Sequence, residues 1–265
     1  MSCAGAIMNL IMNEYKYAEN LVNKKNLSIE DIGTKPSRTL NILARYYREI
    51  GKDDDTIKRL LLDFLQRCLQ DNYKESRWLD SVFRQVKYSR KYGLKRVDGI
   101  HITKSEIDTV QLVKGKRKQK VLFTLLVISK YYNAVSESNN NWANTDCRKV
   151  FSLANVQMTT QDQGLMINEL YRNNLINLSR NVGKPNIQVN FIDDKADVVL
   201  TITQLKDLGN EYLLYCGENY VHCERCGAVV RKSRNGKTRY CKKCSEIVNK
   251  EKTRERMARI RKQNV

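Results

Sequence analysis

Proline and histidine are almost missing from this chain of 265 residues, which holds two of each. So few prolines exclude Pro-rich linkers and leave room for long helices. The two histidines, His101 and His222, stand far apart, and neither has a recognisable nucleophile beside it. The glycine patterns that cradle phosphates or carry a nucleophile, GxxxxGK[ST], GxGxxG and GxSxG, do not occur, and neither does HExxH. No apolar run approaches the roughly 20 residues that a spanning helix needs. The opening MSCAGAIMNLIM lacks the basic stretch that starts a secretory signal. Acidic residues are also in deficit, 29 against 48 Lys and Arg, leaving a net charge of +19. The expectation is a cytoplasmic globular protein, without catalytic machinery, that meets a polyanion.

The surplus charge is segregated. Residues 1–83 hold 13 bases and 12 acids, and residues 121–222 hold 8 and 10. Residues 84–120 hold 12 bases against 3 acids, and residues 223–265 hold 15 against 4. Two segments therefore carry the whole excess, which favours contact with an array of backbone phosphates and predicts strongly salt-dependent binding.

Four of the eight cysteines stand as Cys223-x2-Cys226 and Cys241-x2-Cys244, within HCERCGAVVRKSRNGKTRYCKKC. Two CxxC turns aim four thiolates at one point, and tetrahedral zinc needs four soft ligands. AVVRK and KTRY flank Ser233-Arg234-Asn235-Gly236, where Asn-Gly predicts a hairpin between the knuckles. A zinc ribbon with one structural zinc per chain is the most specific reading. Disulfides fit poorly without an export signal, and a redox dithiol would stand alone beside a βαβ unit. Cys216 and His222 are near enough to serve as spare ligands, while Cys3, Cys68 and Cys147 read as ordinary thiols.

The N-terminal part reads as helical, beginning with residues 6–24. Ser37 is a candidate cap for TLNILARYYREI, and Asp54 or Asp55 for TIKRLLLDFLQRCLQDN. Ile57, Leu60, Leu61, Phe64, Leu65 and Leu69 recur at helical spacing. A helix over about 75–92 is expected to place Trp78, Leu79, Val82, Phe83 and Val86 inside, with Arg84, Lys87, Arg90 and Lys91 outside. The acid runs Asp53–Asp55 and Asp193–Asp194 read as a helix cap and a turn rather than two-metal sites.

After an extended IHIT, Thr103 or Ser105 can cap a helix over about 105–113. KGKRKQK then reads either as a basic linker or as the start of the apolar helix VLFTLLVISKYYNAV. A short helix from about Asp146 to Leu153 follows, then QDQGLMINELYRNN capped by Thr159 or Thr160. Two β-rich runs, LINLS and IQVNFID, flank RNVGKPN, and Ile176 and Leu178 alternate against Ile187, Val189 and Phe191. Helix, helix, helix, strand, wing, strand is the winged-helix order. DVVLTIT and a helix over about 204–216 lead into the ribbon. The third helix exposes Gln161, Asp162, Gln163, Asn168, Glu169, Arg172 and Asn173. Gln163 and Asn168 suit adenine edges, whereas Asp162 and Glu169 oppose phosphate.

The expected fold is mainly α with small β hairpins: a helical N-terminal domain over 1–96, a winged-helix-like domain with a basic entry segment over 97–217, and a zinc ribbon with a basic helical tail over 218–265. This order resembles proteins encoded by phages and mobile elements of low-GC Gram-positive bacteria. The resemblance is carried by ITKSEIDTV, KQKVLFTLLVISKYYN, ELYRNNLINLS through VNFID, and HCERCGAVV. It implies a setting, that of small proteins which grip host machines, more than a mechanism.

The sequence thus points first to a non-enzymatic nucleic-acid-binding protein, with DNA ranked ahead of RNA. Cys223, Cys226, Cys241 and Cys244 would hold zinc. Phosphate contacts are expected from Lys116, Arg117, Lys118 and Lys120, from Arg172, Arg180 and Lys184, and from Arg231, Lys232, Arg234, Lys237 and Arg239. The tail adds Lys242, Lys243, Arg254, Arg256 and Arg259. The alternative is an adaptor or inhibitor that binds a host polymerase, nuclease or CRISPR-type complex through the winged helix. A metal-dependent nuclease ranks third, with no residues assigned to it.

Overall fold

The computed structural model of the chain describes residues 11–33, 35–180 and 186–263. Lys184 and Cys3, with residues 6–10 of the first expected helix, lie outside the described residues. Contacts divide the chain into two compact units, Met1–Gly99 and Ile100–Val265. The structure is mainly helical with small antiparallel sheets.

The first unit is built from helices α1 (Glu14–Val22), α2 (Ile29–Ile32), α3 (Pro36–Glu49), α4 (Asp54–Leu69) and α5 (Leu79–Tyr88). Asn13 caps α1 by accepting from the Lys16 N–H at 2.8 Å. Pro36 opens α3, where its fixed φ suits the first helical position. Ser37 therefore lies inside the first turn and Lys35 stands at the cap position, contrary to the sequence expectation. For α4 the cap moves one residue upstream: Asp53 accepts from the Thr56 N–H at 2.8 Å, and Asp54 and Asp55 occupy the first turn. Leu40, Leu43, Ile57, Leu61, Leu65, Val82 and Val86 fill the core.

Helix α5 departs most from expectation. Residues 75–77 form a 3-10 turn, and the α-helix ends at Tyr88. Val82 and Val86, one turn apart, take the buried stripe. Leu79 and Phe83 flank that stripe and are exposed, Phe83 by 59%. Trp78 is half-buried against the core.

The second unit starts with strand β1 (Ile100–Thr103) and helices α6 (Lys104–Leu112) and α7 (Lys116–Val135). Thr103 and Glu106 form a capping box, and the Glu106 carboxylate accepts from the Thr103 N–H at 2.8 Å. Glu106 is fully buried and pairs with Lys130 of α7 at 2.8 Å. It also accepts from the Asp193 N–H at 3.0 Å, so one carboxylate joins three segments distant in sequence. Residues 121–131 of α7 are buried on every face, which makes this helix the axis of the unit.

Around it lie α8 (Cys147–Leu153), α9 (Thr160–Arg172), strands β2 (Ile176–Leu178), β3 (Ile187–Val189) and β4 (Val198–Ile202), and helix α10 (Leu208–Tyr215). β2 and β3 form the antiparallel hairpin that the alternation predicts, with Ile176 opposite Val189 and Leu178 opposite Ile187. β4 returns to pair antiparallel with β1, roughly a hundred residues upstream. Helix α10 packs on α7, and Gly209 lets its first turn approach the backbone at the end of α8. A Cβ there would lie 1.9 Å from the Ala154 carbonyl oxygen.

Strands β5 (Tyr220–His222) and β6 (Val229–Arg231) and the long helix α11 (Lys242–Gln263) complete the unit. The hairpin partner of β6 differs from expectation. β6 pairs with β5 on its upstream side, while residues 237–240 form no strand. The first knuckle itself reverses the chain, because the Gly227 N–H donates to the Cys223 carbonyl and the Cys223 N–H to that of Ala228, both at 2.9 Å. Gly227 carries φ of +69°, which a side chain would disfavour. The Ser233–Gly236 turn is present, but it links β6 to a coil whose Arg239 carbonyl accepts from the Glu224 N–H at 2.9 Å.

Candidate metal centre and basic surfaces

The sulfur atoms of Cys223, Cys226, Cys241 and Cys244 all lie within 4.8 Å of one another. Cys223 and Cys226 come from the knuckle between β5 and β6. Cys241 immediately precedes α11, and Cys244 lies in its first turn. A tetrahedral ion with metal–sulfur bonds of roughly 2.3 Å sets its ligands about 3.8 Å apart. Cys226 and Cys241 stand at 3.8 Å. The four thiols could therefore hold one metal ion, in a geometry compatible with zinc. Cys223 and Cys244 are buried, Cys241 is half-buried and Cys226 is exposed.

The local field prepares one thiolate. Burial opposes ionisation of Cys223, but backbone N–H groups of Cys241, Cys226 and Arg225 outweigh it and bring its pKa to about 6. Burial and the neighbouring cysteines push Cys244 up to about 12. Thiolates crowded this closely repel one another, and a divalent cation relieves that repulsion. Among the described residues this is the one group of three or more His, Cys, Asp or Glu side chains placed to hold a metal. The spare ligands stay out of it. His222 Nδ1 lies 3.1 Å from the Gly227 carbonyl oxygen, and Cys216 Sγ accepts from Gln111 at 3.9 Å.

A contact missed by sequence reasoning fastens α11 to the knuckle. Arg225, between the first two ligands, makes two parallel bonds to Glu251 at 2.7 and 2.9 Å. This fork-to-fork pairing orients as well as attracts. Neither partner belongs to a motif, so nothing in the spacing announces the pair.

The basic residues divide into two groups. Arg231, Lys232, Arg234, Lys237 and Arg239 are exposed around the ribbon turn, with Arg239 3.5 Å from Glu224. Lys242, Lys243, Arg254, Arg256 and Arg259 are exposed on α11, whose residues 249–260 are solvent-facing all round. Ile247, Met257 and Ile260 on the same helix are each more than two-fifths exposed.

The run at 116–120 is different. It forms the first turns of α7, where positive charge opposes the helix dipole. Three of the four bases have partners within the unit, two of them acidic. Lys116 pairs with Glu218 at 3.1 Å, Lys118 with Glu169, and half-buried Lys120 donates to the Asn155 carbonyl at 2.8 Å. Arg117 is exposed. The structure thus leaves the ribbon and tail bases exposed and gives Lys116, Lys118 and Lys120 partners within the second unit.

On α9, Gln161, Asp162, Asn168, Glu169, Arg172 and Asn173 are exposed, and Arg180 is exposed beyond β2. Gln163 is half-buried and donates to the Met158 carbonyl at 3.2 Å. Leu165 and Tyr171 also face solvent, Leu165 by 61%. The acid runs serve as cap and turn. Asp54 pairs with Arg48 and Arg90, Asp193 accepts from the Lys195 N–H at 3.0 Å, and Asp194 pairs with Lys130 at 2.7 Å. His101 shares a 3.0 Å bond with Thr201 across the β1–β4 pair. Cys68 is buried, which pushes its thiol up to about 11. No helix among the described residues is long and apolar enough to cross a membrane.

No protein-family model, no curated protein and no solved structure matches this chain.

Proposed function

We propose that the chain is a non-enzymatic nucleic-acid-binding protein, of the phage or mobile-element kind that its sequence resembles, whose zinc-loaded ribbon presents a basic helix to phosphates. The observation that carries this reading is the attachment of α11 to the four-thiol cluster. Cys241 and Cys244 hold its first turn, Arg225 grips Glu251, and the exposed bases of turn and helix follow. Zinc is the ion that four thiolates at this spacing suit best. Closing its shell with four sulfurs leaves no position for substrate, so the metal serves structure. DNA ranks ahead of RNA as the partner.

The core of the second unit is read as a winged helix. Support comes from the order α7, α8, α9, β2, β3 and from the segment after α7, which adds a third edge to the hairpin. The Ala143 N–H donates to the Ile187 carbonyl at 2.7 Å, and the Val189 N–H to that of Asn141 at 3.0 Å. The test is a salt titration of binding to a labelled duplex. The slope of log K against log salt should approach −0.9 for every phosphate neutralised and flatten when the α11 bases are replaced. Salt-independent affinity would reject the reading.

A second reading has one specific support. α9 exposes Leu165 and Tyr171 beside Asp162 and Glu169, a face better suited to a protein than to a groove. Under it the winged helix grips a host protein or nucleoprotein complex. Retained capture of that partner by a chain lacking residues 245–265, with loss of free DNA binding, would favour this reading.

A further inference from the structure

The first unit carries a surface that the ribbon reading leaves unused. On α5, Leu79, Phe83 and Lys87 follow one another at i, i+4 and i+8, Arg84 and Tyr88 lie on the adjacent stripe, and Lys91 is exposed just beyond the helix end. Residues 79–92 hold four bases against the single acid Asp80. Aromatic rings flank these bases at both ends and are exposed, Phe83 by 59% and Tyr92 by 76%. An exposed Phe contributes nothing to the core, which Val82 and Val86 already fill.

Phe83 borders a cavity of about 220 Å³ between the start of α4 and α5, lined by Asp54, Lys58, Phe83, Val86, Lys87 and Arg90. Drug-sized ligands take pockets of about 300–1,000 Å³, so this one suits a single planar group. The cavity's charges are partly spoken for. Asp54 is answered by Arg48 and Arg90, and Lys58 by Asp55 at 2.9 Å while it lies 5.2 Å from the Phe83 ring centroid. Lys87 also lines the cavity, and Lys87, Arg84 and Lys91 are all exposed, so this stretch offers solvent more bases than acids.

We propose that this α4–α5 face binds single-stranded nucleic acid, with an unpaired base stacked on Phe83 and the flanking phosphates on Lys87, Arg84 and Lys91. A π-face offered at the edge of a basic stripe recognises a splayed base, whereas bases in a duplex already stack on one another. Four bases to one acid disfavour a neutral apolar partner. The inference rests on the first unit and is independent of the ribbon.

The test uses the full chain and fluorescence anisotropy with labelled oligo-dT and a duplex of equal length. Phe83 is outside the core, so Phe83→Ala should fold normally. It should weaken oligo-dT binding about tenfold, near the lower end of what one stacked base supplies, and leave the duplex unaffected. Phe83→Trp should restore affinity, and Lys87→Gln should reduce the salt slope by about 0.7. The same Phe83 effect should persist when Arg231, Lys232 and Arg234 are replaced by Ala, which separates this surface from the ribbon. Unchanged oligo-dT affinity in Phe83→Ala, or equal loss on single strand and duplex, would overturn the proposal. So would equal displacement of oligo-dT by polyglutamate from wild type and Phe83→Ala, since charge alone would then hold the ligand.

Discussion

Stripping the metal should unfold residues 223–241 and leave the α7 core standing. From residue 218 to the end of the described chain, Ala228 and Val229 are the buried apolar side chains besides Cys223 and Cys244. Full burial of a Val supplies about 1.5–3 kcal/mol, and an Ala less. A structural zinc on thiolates supplies about 10–16 kcal/mol at neutral pH. On the zinc reading the ribbon would owe most of its order to the ion, and loss of two ligands in a Cys223→Ser/Cys226→Ser variant should be as damaging as chelation. Amide hydrogen exchange reads this directly. The N–H groups of Cys223, Glu224 and Gly227, bonded at 2.9 Å each, should lose protection on chelation and regain it when zinc is returned. Amides of residues 121–131, deep in α7, should stay protected throughout. Metal analysis should give one zinc per chain. Equal protection of the ribbon amides with and without metal would refute the reasoning.

Two further tests concern the folded units. Gly209→Ala should lower the urea midpoint, because its Cβ would meet the Ala154 backbone oxygen at 1.9 Å and Lys120 Cε at 2.4 Å. Overpacking of that kind costs about 1–3 kcal/mol, more than the roughly 1 kcal/mol that Ala gains over Gly in a helix. Gly164→Ala on α9 meets nothing within 4 Å and should be neutral or stabilising in the same assay. For acid stability, the side-chain bond from Arg48, reinforced by Arg90 against a smaller effect of burial, holds the Asp54 carboxyl below the usual carboxylate range. Its folded pKa is depressed, so its contribution is complete above the unfolded value of about 3.9 and disappears as pH falls through the lower folded value. Asp54→Asn should lower stability near neutrality and flatten the acid limb of the stability profile. An unchanged acid limb would remove Asp54 from that role.

Where a residue pattern is local, sequence reading and structure agree closely. The capping-box spacing of Thr103 and Glu106 and the hairpin alternation of Ile176 and Leu178 against Ile187 and Val189 are set by neighbours a few residues apart. Cap positions moved by one residue at Asp53 because three consecutive Asp residues can each cap, and only the backbone geometry chooses among them. Periodicity marks a stripe without saying how wide it is, so Phe83 reads as core in the sequence and is exposed in the structure. Val82 and Val86 occupy the space that α3 and α4 leave. The basic run at 116–120 carries charge that sequence can count, but its partners Glu169 and Glu218 lie 51 and about a hundred residues away.

The sequence by itself determined the four-cysteine cluster, the basic tail and the apolar α7, since each rests on composition or short spacing. Tertiary structure alone decided that β6 turns back onto β5 through the knuckle, that β4 closes onto β1, and that α11 is clamped by Arg225 and Glu251. It also decided which bases remain exposed. Pairings across long stretches of chain depend on which surfaces meet once the core is packed, and local spacing carries no record of that.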